Sequence, residues 1–521
     1  QLDSSVSALA KWVPSHFSLH RKATGEYVNH NTKKGQKKQK CVTIKNYMEQ
    51  GFLKRTKIVA TIGPATESRE MLSTLMKAGL NVCRLNMSHG NHSEHKSRIK
   101  TIRTQSAKDG IRVAILQDLS GPKIRIGDFE TGTAVLIPGN FFTLTTKKIV
   151  GSEKKVSVSY LKLPKEVKKG MYLMLNDGRQ KLEVVKVDGD EIKTKIIIGG
   201  TIKGRRGVNV PGAYLSLSSI TEKDREDIVF GMKENVDMMA LSFVRTPEDV
   251  LTLRDILKKG RKDIAIISKI ETQEAVDNID EIIRLSDAIM VARGDLAIEI
   301  GASHVPVVQK MILKKCNDMG VPVIVATQML ESMIHSPVPT RAEVSDVANS
   351  IFDGTDAVML SEETTLGEYP VEAVQVMTQV AQEVEASMFA NGFFRSKDSL
   401  DDSSADAVSH SVVCTARDLN AKAIIALTQS GGTARLITRH KSPHYVLACS
   451  SHERVLNKLM LSFGCVPVLI PELKNLESAL SIVKKEVKKI MNLKNGDIII
   501  VSAGVPFGKT GSTNMMIVEN I

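Results

Sequence analysis

The sequence predicts an α/β chain built on a (β/α)8 TIM barrel, with an inserted all-β lid domain and a separate C-terminal α/β domain. Three observations predict it. From Lys57 onward, apolar β-type runs alternate eight times with helical connections, the signature of parallel α/β construction. The runs are close to continuously apolar, as strands buried on both faces are, and each stops at polar or charged residues. Between the third and fourth runs lie more than a hundred residues, far beyond an ordinary connection between a strand and a helix.

In order, the runs are 57–62, 81–86, 112–118, 237–242, 264–269, 287–293, 321–327 and 356–361. They end at or beside Asn86, Ser88, Asp118, Ser242, Lys269, Arg293, Thr327 and Ser361, and in such a barrel the carboxyl ends of the strands carry the chemistry. The long interval contains AVLIPGNFFTLTT, YLMLND and EIKTKIII, short β-type segments punctuated by Gly and Pro. It reads as a β-barrel lid over residues 122–211, leaving and rejoining the chain at the active rim, where closure would exclude water. A helical stretch, 370–388, and a polar patch, 396–406, lead to four further strand-like runs at 423–427, 445–449, 466–470 and 497–501. The division expected is a basic flexible extension (1–40), the barrel (41–121 and 212–385), the lid (122–211) and an effector-type α/β domain (386–521).

Charge and cysteine usage narrow the function classes. The net charge is +13, but residues 1–57 hold 12 Lys and Arg against 3 Asp and Glu, which leaves +4 for everything after. The basicity is a tail. Its run NTKKGQKKQK has no apolar periodicity and reads as a solvated segment, or as targeting information, being poor in acids. A nucleic-acid role would rest on that tail alone, so none is expected. No apolar run approaches the roughly 20 residues of a membrane span. The six cysteines, Cys41, Cys83, Cys316, Cys414, Cys449 and Cys465, show no CxxC pair or metal spacing, which suits a reducing, cytoplasmic setting.

The chemistry concentrates in residues 264–299. One apolar run ends in Ser268-Lys269-Ile270-Glu271 and the next in Ala292-Arg293-Gly294-Asp295, so a Lys and two acids point into one mouth. Glu271 and Asp295 suit a hard divalent cation, which prefers oxygen ligands, and Lys269 suits a migrating negative charge. The competing reading is a structural ion-pair network. Further on, Thr428-Gln429-Ser430-Gly431-Gly432-Thr433 precedes a helix; it is either a phosphate-binding loop or an ordinary capped turn.

Several long motifs, in register, carry a resemblance. SKIE at 268–271, MVARGDLAIEIG at 290–301, ATQMLESM at 326–333, PTRAEVSDVAN at 339–349, KIVATIGPA at 57–65, RLNMSHG at 84–90 and GVNVPG at 207–212 closely resemble pyruvate kinase, and the C-terminal region resembles that family's last domain more loosely. The resemblance implies transfer of the phosphoryl group of phosphoenolpyruvate to ADP in glycolysis, with Mg2+ or Mn2+, usually by a homotetramer. It implies Glu271 and Asp295 as ligands of the divalent metal, and Lys269 and Arg84 on the moving phosphoryl group, with Arg125 helping. The substrate carboxylate falls to Ala292, Arg293, Gly294 and Thr327, and protonation of the enolate to a relay including Thr327 and Ser361. Asn86, His89, Arg125 and Arg206 lie toward the nucleotide, and Thr428, Ser430, Gly431, Gly432 and Thr433 toward a phosphorylated effector, if there is one.

This sequence also departs from the family. Where most members carry a Thr and a Glu, it has Leu119 and Lys123. In the Glu form a potassium ion sits among residues corresponding to Asn86, Ser88, Asp118 and position 119. A Lys ammonium is a compact monovalent charge, so Lys123 is expected to replace that ion and K+ not to be required. Ala297, Glu362, Leu366 and Glu94 are lesser departures on the nucleotide side. The segment before Asn495 lacks the Trp and Arg with which activated relatives hold the second phosphate of fructose 1,6-bisphosphate. A different magnesium-dependent enolate enzyme is the nearest rival reading, but it explains neither the lid nor the nucleotide-side residues.

Overall fold

The computed structural model describes residues 54–392, 403–473, 475–506 and 513–521. The expected extension, 1–40, and the first part of the polar patch lie outside them. Eight parallel strands, Lys57–Thr61, Val82–Asn86, Ala114–Asp118, Met238–Val244, Ala265–Ile270, Ala288–Ala292, Val323–Ala326 and Ala357–Leu360, close into a barrel in chain order. The last pairs with the first, Lys57 opposite Ala357. All eight expected runs are strands, shifted at their ends by a residue or two.

Side chains alternate along these strands with period two. Ile58 and Ala60 face the surrounding helices, while Val59 joins Val82, Leu116, Ile267, Met290 and Ile324 in the barrel interior. Two residues from far along the chain, Met460 and Leu461, belong to the same interior cluster. They sit in a short turn, Leu459–Leu461, of the C-terminal region and complete the floor of the barrel.

Around that floor a staple recurs at every second strand. The residue just before an even-numbered strand accepts a backbone N–H from the preceding odd-numbered one: Ile58 to Asn81 Oδ1 at 2.9 Å, Ile115 to Asp237 Oδ2 at 2.7 Å, Ile266 to Asp287 Oδ2 at 2.9 Å and Val323 to Asp356 Oδ2 at 3.1 Å. Each acceptor is also met by a cation, respectively Lys54, Arg103, Arg254 and Lys441. Lys54 faces an amide and not an acid; burial first, then the charge of Lys57, lowers its pKa to about 7.

The insert between the third and fourth strands is all-β apart from a one-turn helix, Leu163–Glu166. It is a six-stranded sheet with a two-stranded ribbon beside it, and the segment 124–127 bridges both edges of that sheet, Arg125 pairing with Gly207 and Ile126 with Val158, around a core of Phe142, Leu144, Leu173 and Leu182. Its two connections to the barrel run side by side: Ile126 N donates to Arg206 O at 3.0 Å and Val208 N to Ile124 O at 2.8 Å. The C-terminal α/β domain has five strands, ordered Cys465–Leu469, Val446–Ser450, Ala423–Leu427, Ile498–Ala503 and Met515–Asn520, the last antiparallel. That edge strand is an addition to the four expected. Among the described residues no helix is long and apolar enough to cross a membrane.

Lys441 comes from the C-terminal domain and is fully buried, with its Nζ 2.8 Å from Asp356 Oδ1. Removing one partner of a buried pair strands the other, at about 3–5 kcal/mol. Lys441→Met is therefore expected to lower the urea midpoint by that equivalent, and an unaltered midpoint would contradict the assignment of this pair to the stability of the floor.

Candidate active site

The opposite end of the barrel is a mouth organised on one buried carboxylate. Asp118 ends the third strand with 1% of its surface exposed. Arg84, from the second strand, reaches its Oδ2 through Nε at 2.7 Å and directs Nη1 to Thr61 Oγ1 at 2.7 Å. Lys269, from the fifth strand, approaches Oδ1 at 3.6 Å and bonds Ser242 Oγ at 2.8 Å and Glu271 Oε1 at 2.9 Å. Parallel pairing in register, Asn86 opposite Asp118 and Ala240 opposite Asp118, brings these ends together. Burial pulls the Lys269 pKa down, but Asp118 and Glu271 outweigh it and hold it above the ordinary value.

Glu271 is also buried, and its Oε2 accepts Phe243 N at 2.7 Å. Burial, and the charge of Asp295 facing it, raise its pKa against the pull of Lys269. Asp295 lies in the first turn of the helix Arg293–Ile300, which starts where the sixth strand stops. The Thr327 hydroxyl accepts Gly294 N at 2.9 Å and donates to Ala326 O at 2.6 Å. Arg293 turns away from the mouth, bonding Thr327 O and pairing with Asp346 at 2.7 Å, so only its backbone faces the site. Phe243, Thr327 and Gln328 hold φ of +53°, +71° and +54°. Such conformations cost roughly 1–3 kcal/mol each and cluster at functional sites.

Across residues 53–374 the chain matches the family model for the pyruvate kinase barrel domain, and across 406–519 that for the pyruvate kinase alpha/beta domain. The chain belongs to the pyruvate kinase family. It is 46% identical over 467 residues to a pyruvate kinase of Staphylococcus aureus, covering 89% of this chain and 80% of the relative. A pyruvate kinase of Staphylococcus epidermidis is 45% identical over the same span. Among solved structures, a pyruvate kinase from Cryptosporidium parvum superposes with a TM-score of 0.83 at 36% identity, covering 92% of this chain and 98% of that one.

Pyruvate kinase membership implies a divalent metal, and the mouth fits one. Glu271 and Asp295 are paired hard oxygen donors whose mutual repulsion a cation would relieve. Among the described residues no three His, Cys, Asp or Glu side chains form a metal-holding group. That suits magnesium, which takes one or two carboxylates and fills its remaining positions with substrate phosphates and water. Ser361 follows the eighth strand, its N–H bonded to Glu363 Oε2 at 2.7 Å. Asn86 Oδ1 accepts Ser88 N at 3.1 Å, and Leu119 O accepts Ser242 Oγ at 2.7 Å. His89 is exposed, its carbonyl held by His95 Nε2 at 2.8 Å. Arg125 and Arg206, also exposed, lie on the paired connections to the insert.

Lys123 is exposed, with Nζ 5.9 Å above the Phe243 ring, and lines one cleft with Ser88. Asp118 is met by Arg84, Lys269 and Ser242. The effector loop is separate from the mouth: Thr428 Oγ1 accepts Gly431 N at 2.9 Å, and Thr433 Oγ1 meets Thr513 Oγ1 at 2.8 Å, with Ser430 exposed and Gly432 opening a seven-residue helix. Sequence reasoning placed Ser242 at a strand end without a role, and missed the Phe243 N–H, Glu363 and Glu299 as parts of the site. Glu299 lines the cleft under the insert with Asp177, Asn209 and Asp295; burial, helped by Asp295, raises its pKa to about 7.

Asp118 carries a pH dependence whose sign is fixed. Burial alone would raise its pKa, but Lys269 and Arg84 outweigh that and hold it below the usual 3.8. The resulting stabilisation is complete above the unfolded carboxylate's pKa and is lost as pH falls through the depressed folded one. Asp118→Asn should therefore lower the urea midpoint at neutral pH, and the gap from the parent should shrink on acidification. A gap independent of pH would contradict this.

Proposed function

We propose that the chain transfers the phosphoryl group of phosphoenolpyruvate to ADP, giving pyruvate and ATP, as a magnesium-dependent cytoplasmic homotetramer that does not require potassium. The observation that carries the reading is the pair of cations, Arg84 and Lys269, brought to opposite oxygens of buried Asp118 beside two metal-suited carboxylates. Phosphoryl transfer is mostly positioning and charge stabilisation. Arg84 and Lys269 would grip the phosphoryl oxygens from two sides, with charges kept in place between turnovers by Asp118. Residues 122–211 would close as the lid, bringing Arg125 and Arg206 to the nucleotide phosphates, with Asn86 and His89 on the other side.

A divalent ion held by Glu271 and Asp295 supplies Lewis-acid polarisation when bound, and manganese would serve the same ligands. Apart from Gly294 N, which Thr327 Oγ1 accepts, the N–H groups at the start of the helix Arg293–Ile300 suit the substrate carboxylate; Thr327 fixes Gly294, and Arg293 fixes Thr327. When the bond from phosphorus to the enol oxygen breaks, the phosphoryl group joins a β-phosphate oxygen of ADP and the enolate is left needing a proton on carbon. The Thr327 proton is engaged by the Ala326 carbonyl, so we assign proton delivery to water ordered by the Thr327 and Ser361 hydroxyls. A phosphorylated effector, where there is one, would use Thr428, Ser430, Gly431, Gly432 and Thr433.

For potassium, the proposal is that Lys123 supplies a fixed monovalent charge at the hinge of the lid. Its exposed position over Phe243 favours the competing reading, an ion among Asn86, Ser88 and Asp118, until the lid closes. Pyruvate formation with magnesium in a bulky organic cation buffer should run at full rate, and Lys123→Glu should make the rate depend on added potassium. A parent rate that appears only with potassium would remove the Lys123 proposal and keep the kinase. Lys269→Met should lower kcat by roughly a hundredfold or more, as loss of a charge-stabilising donor does; an undiminished kcat would overturn its role.

A further inference from the structure

The turn Asn86–Gly90, which carries Asn86, Ser88 and His89, is held from outside the mouth by a side chain that nothing above uses. Met87 is the buried residue of that turn, 2% exposed. Its N–H donates to Asp118 O at 2.9 Å, and its carbonyl accepts Lys223 Nζ at 2.8 Å. Lys223 stands in the first turn of the helix Glu222–Glu234, which begins where the chain returns from the insert.

The Lys223 side chain is about half exposed, but its ammonium has two fixed partners. Lys223 Nζ also bonds Asp227 Oδ2 at 2.6 Å, one helical turn on, and the other Asp227 oxygen meets His92 Nε2 at 2.7 Å. Asp227 is 1% exposed, so both oxygens are satisfied by cation or ring donors and its orientation is fixed. His92 is itself stacked on Phe230 with centroids 4.5 Å apart. The adjacent residue, Asp224, grips the other side of the rim: its Oδ1 accepts Gly121 N at 3.2 Å and its Oδ2 accepts Thr221 N at 2.9 Å. One helical turn thus holds the turn after the second strand and Gly121, beside the start of the insert.

We propose that Lys223, oriented by Asp227, is a positioning residue that fixes the turn Asn86–Gly90 for the nucleotide. The inference rests on the kinase reading above for what the turn binds. Lys223 also borders the cleft that contains Ser88, Lys123 and Arg125, so a direct electrostatic role on phosphates is the rival. The two roles differ in sign. If Lys223 positions the turn, Asp227→Asn frees the lysine and loosens ADP; if it acts through charge, the same change unmasks the ammonium and tightens ADP.

The experiment is steady-state kinetics of the full chain with both substrates varied, alongside amide hydrogen exchange of the unliganded protein over residues 86–92. In Lys223→Met, losing a charge-assisted hydrogen bond is expected to raise KM for ADP about tenfold, with kcat and KM for phosphoenolpyruvate within about twofold, as for a uniform binding loss. Asp227→Asn should move KM for ADP the same way, and both variants should exchange faster across the turn. An unchanged ADP KM, an equal change in both KM values, or a lower ADP KM in Asp227→Asn would overturn the positioning role. Parent protein without pyruvate formation would remove the kinase reading. The exchange measurement would then still judge Lys223, and protection unchanged in Lys223→Met would overturn its hold on the turn.

Discussion

The mouth of this barrel depends on a buried anion. Arg84 and Lys269 are both almost wholly shielded from solvent, and two like charges so close would drive each other out of any nonpolar interior. Asp118 lets them coexist. Because it ends a strand in register with both neighbours, its carboxylate stands between them without a loop having to be folded into place. The arrangement is preorganised in the sense that matters for charge-stabilising catalysis: donors are oriented before any substrate arrives. Glu271 repeats the device two strands away, turned by the Phe243 N–H toward the face shared with Asp295.

Much of this was legible in the sequence because strand-end charge is so rarely accidental in a parallel barrel. Lys269, Glu271 and Asp295 stood out as charges closing apolar runs, and the motif resemblance added Arg84 and Thr327. The strand limits shifted at Asn81, Asp237, Asp287 and Asp356, each of which bonds the neighbouring strand through its side chain as well as its backbone N–H, a pairing that no local pattern announces. The edge strand Met515–Asn520, half exposed along its length, lacks the continuous apolar run that flagged its neighbours.

The supporting partners, to which the sequence assigned no role, share a different property. Ser242 meets Lys269 across 27 positions, Phe243 N meets Glu271 across 28, and Lys223 reaches Met87 across 136. Each is an ordinary residue until its partner is known. Lys123 is the converse case, conspicuous in sequence and exposed in space. Its position on the hinge means that its surroundings depend on where the insert stands.

The two ends of the barrel are maintained by different parts of the chain. The mouth is built from residues 61 to 361, but its floor is closed by Met460 and Leu461, with Lys441 neutralising Asp356. During synthesis at 5–20 residues per second, every barrel strand is out about 100 residues before Leu461 is made, a wait of roughly 5–20 s. Through that interval the nascent barrel presents an apolar opening ringed by Val59, Val82 and Ile324, and Asp356 has no Lys441. Until its last quarter arrives, the newborn chain thus exposes apolar surface that the finished fold buries, the kind of surface that favours aggregation.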